Sequence, residues 1–270
     1  MKETFYSFDL PCSLASLSDF HNSDPGPVLA SLRQRRPQLI AIPGDFIKSE
    51  QAADGGSVLA GQPEILTLFE ECVSVAPTFV SLGNHEWPLT AADYECIRQS
   101  GVILLDNSFQ KLTISGIKLV IGGLTSAYVT ECRRVGLLPP EEQAAYKRSI
   151  GRRKHGLGRP QPAPETAWLS SYLSEEGYHL LLNHHPEYTS FLPGQPELVL
   201  SGHAHGGQWN YYSFRKRRPC GVWAPGQGLF PEYTSGFYGN MLVSRGLANT
   251  TVIPRFFNPE EIVYIYPENK

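Results

Sequence analysis

Residues 201–208, SGHAHGGQ, place His203 and His205 one position apart, directly after the apolar run ELVL. In an extended segment, side chains two positions apart project to the same side, so both imidazoles are expected to converge beyond the end of a strand. Convergent imidazoles point to a cation; the alternative is two unrelated surface histidines in a turn. Four further apolar runs end in related chemistry: CSLASL closes on Asp19 and His21, QLIAI on Asp45, TFVSL on Asn84 and His85, and HLLLN on His184. A single Asp or Asn after a strand is ordinary turn chemistry. Five ends carrying Asp, Asn or His, and never Lys or Arg, are not explained by turns. Carboxylate, amide and imidazole without thiolate suit Mn, Fe, Zn or Ni, with Mn favoured. The donors outnumber the needs of one ion. Two divalent metal ions are therefore expected, clamping a phosphoryl group, with Asp45 as the carboxylate that bridges them.

These residues need strands to carry them. CSLASL, QLIAI and TFVSL alternate with the helical patterns PVLASLRQR and EILTLFEECVSV, a β-α-β-α-β series that predicts a largely parallel sheet with helices on its face. FQKLTISGIKLVIGG reads as a hairpin turning at Ser115-Gly116. TAWLSSYLSEE follows as a helix, HLLLN and ELVLS as strands, and GNMLVSRG and EEIVYIYP as later strands. The expected fold class is α/β, a two-sheet β-sandwich core flanked by helices. In open α/β sheets ligands bind outside the carboxyl ends of the strands, which would gather the five ends at one place.

At 270 residues one domain is the default reading, spanning 1–270 with a basic insertion at about 131–164. The 23 basic and 26 acidic residues leave a net charge of −3, which argues against binding nucleic acid or membrane through overall charge. Five cysteines without a CxxC pair read as free thiols in a reducing compartment. The first residues, MKETFYSFDLPCSL, lack the pattern of a signal peptide, and no window reaches the length of a membrane span, so the expected location is cytoplasmic. Residues 133–159 hold eight Arg or Lys against Glu141 and Glu142. They read either as a solvated loop or as a lid in which Arg152, Arg153 and Lys154, with Arg215 and Arg217 of SFRKRRP, hold a distal phosphate.

In order along the chain, SDFH, GD, GNHE, HHP and GHAH resemble the motifs of the calcineurin-like metallophosphoesterase superfamily. Beyond them, GGQ, APGQGLFPEYTSGFY, SRGL and NPEEIVYIY resemble a bacterial branch akin to UDP-diacylglucosamine pyrophosphohydrolases. The resemblance implies a binuclear phosphohydrolase in which a metal-bridging hydroxide attacks phosphorus. It implies that Asp19, His21, Asp45 and His205 hold one ion, that Asp45, Asn84, His184 and His203 hold the other, and that His85 is the catalytic histidine that protonates the leaving oxygen. Glu86 and Asn22 read as turn or supporting residues. His185 is expected to point away from the site, and His155 and His179 to be exposed and strand-borne. The expected substrate is a small phosphate ester or a nucleotide-diphosphate type of molecule; the alternatives are a nuclease and a non-catalytic scaffold of the same fold.

Overall fold

The computed structural model describes residues 1–49, 56–136, 142, 162–214, 218–249 and 254–268. Its sixteen strands start with β1 (Lys2–Phe8), β2 (Leu14–Ser16), β3 (Leu39–Ile42), β4 (Thr78–Ser81), β5 (Ile103–Leu105), β6 (Ser108–Ile114), β7 (Ile117–Leu124), β8 (Tyr178–Asn183) and β9 (Leu198–Ser201). After them come two short ribbons, β10 (Asn210–Ser213) with β11 (Arg218–Gly221) and β12 (Trp223–Ala224) with β13 (Gly228–Leu229). The chain returns to the main sheets as β14 (Gly236–Tyr238), β15 (Met241–Val243) and β16 (Glu261–Pro267). Five α-helices are described: α1 (Gly26–Arg35), α2 (Pro63–Val75), α3 (Ala91–Gln99), α4 (Ala127–Gly136) and α5 (Leu169–Ser174).

Two six-stranded sheets result. The first runs β1-β16-β2-β3-β4-β5 and the second β14-β15-β9-β8-β7-β6. The strands β2, β3, β4 and β5 are parallel neighbours, as are β7, β8, β9 and β15, so the strands that precede the polar ends point one way within each sheet. Among the main strands, antiparallel pairing occurs at the hairpin edges β6 and β14 and where β16 meets β2.

Alternation decides which layer each side chain enters. In β3, Ile40 and Ile42 face α1 and α2, while Leu39 and Ala41 face the other sheet. In β8, Leu180 and Leu182 face inward, and Leu181 turns to the outer layer with Leu169 and Tyr172 of α5. The inner faces meet through Leu14, Leu39 and Phe79 against Leu119, Ile121 and Leu200. Strands buried on both faces read as unbroken apolar runs. This is why LIAI and LLLN, rather than alternating patterns, mark the centre of each sheet. On α2, Ile65, Leu68, Phe69 and Cys72 form the buried stripe that seats it on the first sheet.

The α/β sandwich agrees with the expectation from sequence, and several elements add to it. β1 pairs in parallel with β16 along its whole length, although MKETFYSF carries charge at its start and half its side chains face water. β5 has only three residues, too few to show a period. Arg133 and Arg134, at the start of the basic insertion, lie on α4 and are engaged by Asp106 and Glu165. Residues 137–141 and 143–161 of the insertion, with Arg152, Arg153 and Lys154, lie outside the described residues, as do Arg215 and Arg217. No described helix is long and apolar enough to cross a membrane.

Asp93 shows how a loop beyond the site is fixed. It closes a capping box with Thr90 at the start of α3, and its carboxylate also accepts from Ser57 Oγ at 2.6 Å, Leu59 N–H at 2.9 Å and Val58 N–H at 3.2 Å. Replacing it strands several buried donors, each costing about 1–3 kcal/mol. Asp93→Ala is expected to lower the unfolding free energy in urea by more than about 2 kcal/mol while leaving cation binding intact. A change below about 0.5 kcal/mol contradicts this account of the loop.

Candidate metal centre

All seven ligand candidates are buried at the carboxyl ends of strands of both sheets. Asp19 and His21 follow β2, Asp45 follows β3, Asn84 and His85 follow β4, His184 follows β8, and His203 and His205 follow β9. Five of them, Asp19, His21, Asp45, His203 and His205, adopt positive φ between 46° and 63°. Such left-handed backbone is uncommon outside glycine. Its recurrence at the ends of three strands sets these residues apart from ordinary turns.

That conformation corrects the reason given for the histidine pair. Residues 203–205 are not extended, and a 3-10 turn begins at His205. The two rings therefore separate. The His205 ring centre lies 5.6 Å from that of His21, and the His203 ring centre lies 5.1 Å from that of His184.

Two groups of donors follow from this separation. In the first, His21 Nε2 and His205 Nε2 stand 3.9 Å and 3.6 Å from Asp19 Oδ1. In the second, His184 Nε2 stands 3.1 Å from Asp45 Oδ2, and His203 shares this group with both. Asp45 Oδ2 also lies 3.8 Å from His21 Nε2, so one carboxylate oxygen faces both groups. The other oxygen, Oδ1, accepts from the backbone N–H of His85 at 2.7 Å and so fixes the direction in which Oδ2 points.

Supporting contacts select the ring nitrogens that face inward. His21 Nδ1 lies 3.1 Å from Ile47 O and His184 Nδ1 lies 2.9 Å from Pro43 O, so each ring donates outward from Nδ1 and turns its Nε2 to the centre. Asp19 is held by Ser18 Oγ at 2.5 Å and by the N–H of His203. His21 Nε2, Asn84 Oδ1 and His203 Nε2 are buried without a hydrogen-bond partner. Buried polar atoms left in this way are costly unless something completes them. Converging nitrogen and oxygen donors of this kind fit a divalent cation.

Glu86 builds the floor. Its carboxylate accepts four backbone N–H groups, from Gly83 at 2.7 Å, Phe46 at 2.8 Å, Asp45 at 2.9 Å and Ile47 at 3.2 Å, which ties the loop after β3 to the loop after β4. Burial and the nearby Asp45 raise its pKa to about 8, while the N–H donors favour the anion. Gly83 permits this closeness. A Cβ there would meet Asp45 Oδ1 at 2.4 Å.

His85 differs from the ligand candidates in its setting. Its side chain is 16 % exposed, with Nε2 3.8 Å from Asp45 Oδ2 and its ring 4.4 Å from that of His21. Three neighbours were not singled out by sequence. Arg255 places Nη2 3.3 Å from His205 Nδ1, and Asn258 donates to His205 O at 2.7 Å. His185, expected to point away, is buried beside His203 and Glu187. Arg255 lies fifty residues beyond GHAH in a stretch without apolar period, and Asn258, though it opens the NPEEIVYIY stretch, carries no local sign of its contact with His205, so only the folded chain reveals both contacts. His179 is strand-borne as expected, on β8, and His155 lies outside the described residues.

Electrostatics divide the imidazoles. Burial lowers His21 to about 4 and His205 to about 3, the latter helped by Arg255, and it carries His203 well below its usual range. Burial acts on His184 as well, but the Asp45 carboxylate overrides it and raises that ring to about 9. Burial would raise Asp45; His184 and His85 outweigh it and hold the carboxyl well below the usual range. A cation entering beside His184 must therefore displace a proton up to about pH 9, whereas His21 and His205 are already neutral above about pH 5.

Calorimetric titration with Mn2+ between pH 6.5 and 8 should thus show one class of site tightening roughly tenfold per pH unit as His184 deprotonates. The class holding His21 and His205 should change far less. Equal pH dependence of both classes, or none in either, contradicts the assignment.

Three solved structures are similar in part. A sulfate thiohydrolase SoxB from Thermus thermophilus in complex with glycerol is 15% identical over 73% of this chain and 49% of its own, with a TM-score of 0.43. The chain spans about half the length of that protein. An archaeal phosphodiesterase is 14% identical over 72% of this chain and 73% of its own, with a TM-score of 0.31. A dimetal phosphatase from Danio rerio is 11% identical over 95% of this chain and 93% of its own, with a TM-score of 0.47. Among curated protein sequences there is no match. A family model described as calcineurin-like phosphoesterase matches residues 14–207, which contain all the motif residues, and the chain belongs to that family.

Proposed function

We propose that the protein is a binuclear metal-dependent phosphohydrolase. The observation that carries this reading is Asp45 Oδ2, one buried oxygen facing His21 on one side and His184 on the other. In this reading Asp19, His21, Asp45 and His205 hold one divalent ion, and Asp45, Asn84, His184 and His203 hold the other. When bound, the two ions supply an activated water as nucleophile and neutralise charge on the phosphoryl oxygens. The chain's own residues do the rest. The outward donations of His21 and His184 keep their Nε2 atoms aimed at the centre, and Glu86 keeps the Asp45 and Gly83 loops together. In this reading His85, the most exposed of these imidazoles, reaches substrate and protonates the leaving oxygen.

The substrate class we propose is a small phosphodiester, monoester or pyrophosphate. The resemblance to UDP-diacylglucosamine pyrophosphohydrolases makes a nucleotide diphosphate the first substrate to try, with the basic residues Arg152, Arg153, Lys154, Arg215 and Arg217 as candidates to hold its distal phosphate.

Metal analysis of protein purified without chelator and reconstituted with Mn2+ should give close to two ions per chain, and Asp45→Asn should disturb both. One ion or none in the unaltered chain overturns the binuclear reading. His85→Asn should retain both ions yet lose roughly 10²- to 10⁴-fold in turnover on an alkyl phosphodiester. If that variant empties a metal position, or if its turnover is unchanged, His85 is not the acid. Trials on bis(p-nitrophenyl) phosphate, p-nitrophenyl phosphate and a UDP-sugar distinguish the bond types.

A further inference from the structure

Behind His203 lies a second convergence of donors that the binuclear reading does not use. His185 Nδ1 lies 3.5 Å from Glu187 Oε1, and His203 Nε2 lies 3.9 Å from the same oxygen. The His185 and His203 ring centres are 4.2 Å apart. His185 is fully buried, and His203 nearly so. His185 Nδ1, His203 Nε2 and both Glu187 oxygens are inaccessible and have no hydrogen-bond partner. The same signature marks His21 Nε2 and Asn84 Oδ1 in the main centre.

The His185 ring is held in a definite orientation. Its Nε2 lies 2.8 Å from Ser126 Oγ, and its ring packs against Tyr188 at 4.5 Å between centres. In the tautomer whose Nε2–H donates to Ser126 Oγ, the Nδ1 lone pair faces a carboxylate oxygen. Two acceptors facing each other are satisfied by a cation between them. A hydrogen-bonded outer nitrogen and an inward lone pair is also how ligating histidines are positioned, here by a serine. Two imidazoles and one carboxylate form a donor set suited to Zn2+ and its neighbours in the first transition row.

We propose that His185, Glu187 and His203 form a third cation position adjoining the binuclear centre and sharing His203 with it. This inference rests on the binuclear reading only for the place of His203. One imidazole nitrogen binds one ion, so His203 Nε2 serves either the ion at Asp45 and His184 or the ion at Glu187 and His185. The two positions compete for His203. Filling the third position draws His203 away from the second ion, so excess metal should weaken the centre it otherwise loads.

The experiment uses the full chain with Zn2+ alone. Anomalous-difference maps from crystals grown with two equivalents and with a large excess of Zn2+ should show two peaks beside Asp45 in the first. In the second, a peak between His185 Nδ1 and Glu187 should appear. Competition against a chromophoric chelator should show a third, weaker equivalent in the unaltered chain. Glu187→Gln, which keeps the side chain's size, should weaken that equivalent roughly tenfold or more while two equivalents persist. Two peaks beside Asp45 with none at Glu187 under excess Zn2+ overturn the third position and leave the binuclear reading standing. A third equivalent unchanged by Glu187→Gln also overturns it. No peak beside Asp45 at either concentration overturns both.

Discussion

A carboxylate sealed from water must be compensated, and Asp45 is 1 % exposed with imidazoles on both sides of one oxygen. The cost of an uncompensated buried charge amounts to several kcal/mol, which is large against the stability of a whole domain. Everything around Asp45 addresses that cost. Its Oδ1 takes the His85 N–H, its loop is clasped by Glu86, and Gly83 leaves room for both. A pair of loops from neighbouring strands becomes rigid enough to hold one oxygen in a fixed direction.

The two sheets contribute unequally but jointly. The first sheet delivers Asp19, His21, Asp45, Asn84 and His85, and the second delivers His184, His203 and His205. Neither sheet alone brings these donors together. The inner layer of Leu39, Phe79, Leu119, Ile121, Leu182 and Leu200 sets the distance between them, so the apolar sandwich and the polar centre are parts of one construction. The N–H of Gly202 reaching His184 O at 3.0 Å, and that of Leu247 reaching Ser18 O at 2.9 Å, carry the register to the mouth of the site.

Much of this was legible from residue types. Apolar runs ending in Asp, Asn or His announced the strands and the donors gathered at their ends, because a strand buried on both faces reads as an unbroken apolar run and its end must turn. The sandwich itself followed from the same runs. Backbone conformation was not legible. His203 and His205 could be assigned to one place by assuming an extended chain, yet it is positive φ that sends them to different partners. The same assumption hid His185, which lies inside the cluster. Arg255 gave no signal, since a loop residue that reaches His205 from fifty positions away has no local pattern, and Asn258, although it opens NPEEIVYIY, gave no sign of its contact with His205. β1 and β5 were missed for opposite reasons, one being half-exposed and the other too short.

The position of β16 bears on how the chain acquires this centre during synthesis. β16, residues 261–267, lies between β1 and β2, parallel to the former and antiparallel to the latter. A growing chain therefore emerges with its first strand separated from β2 by a gap that only a segment some 250 residues later can fill. Until then β1 has no neighbour, and one edge of β2 is open. Long-range closures of this kind are slow and expose pairing edges to other chains. Asp19 and His21 sit at the end of β2, and Arg245 and Gly246 meet Glu261 through hydrogen bonds close by. Every residue of the family motifs is thus synthesised well before the scaffold beside it can be completed, and chaperone occupancy of the nascent chain should persist until β16 has been made.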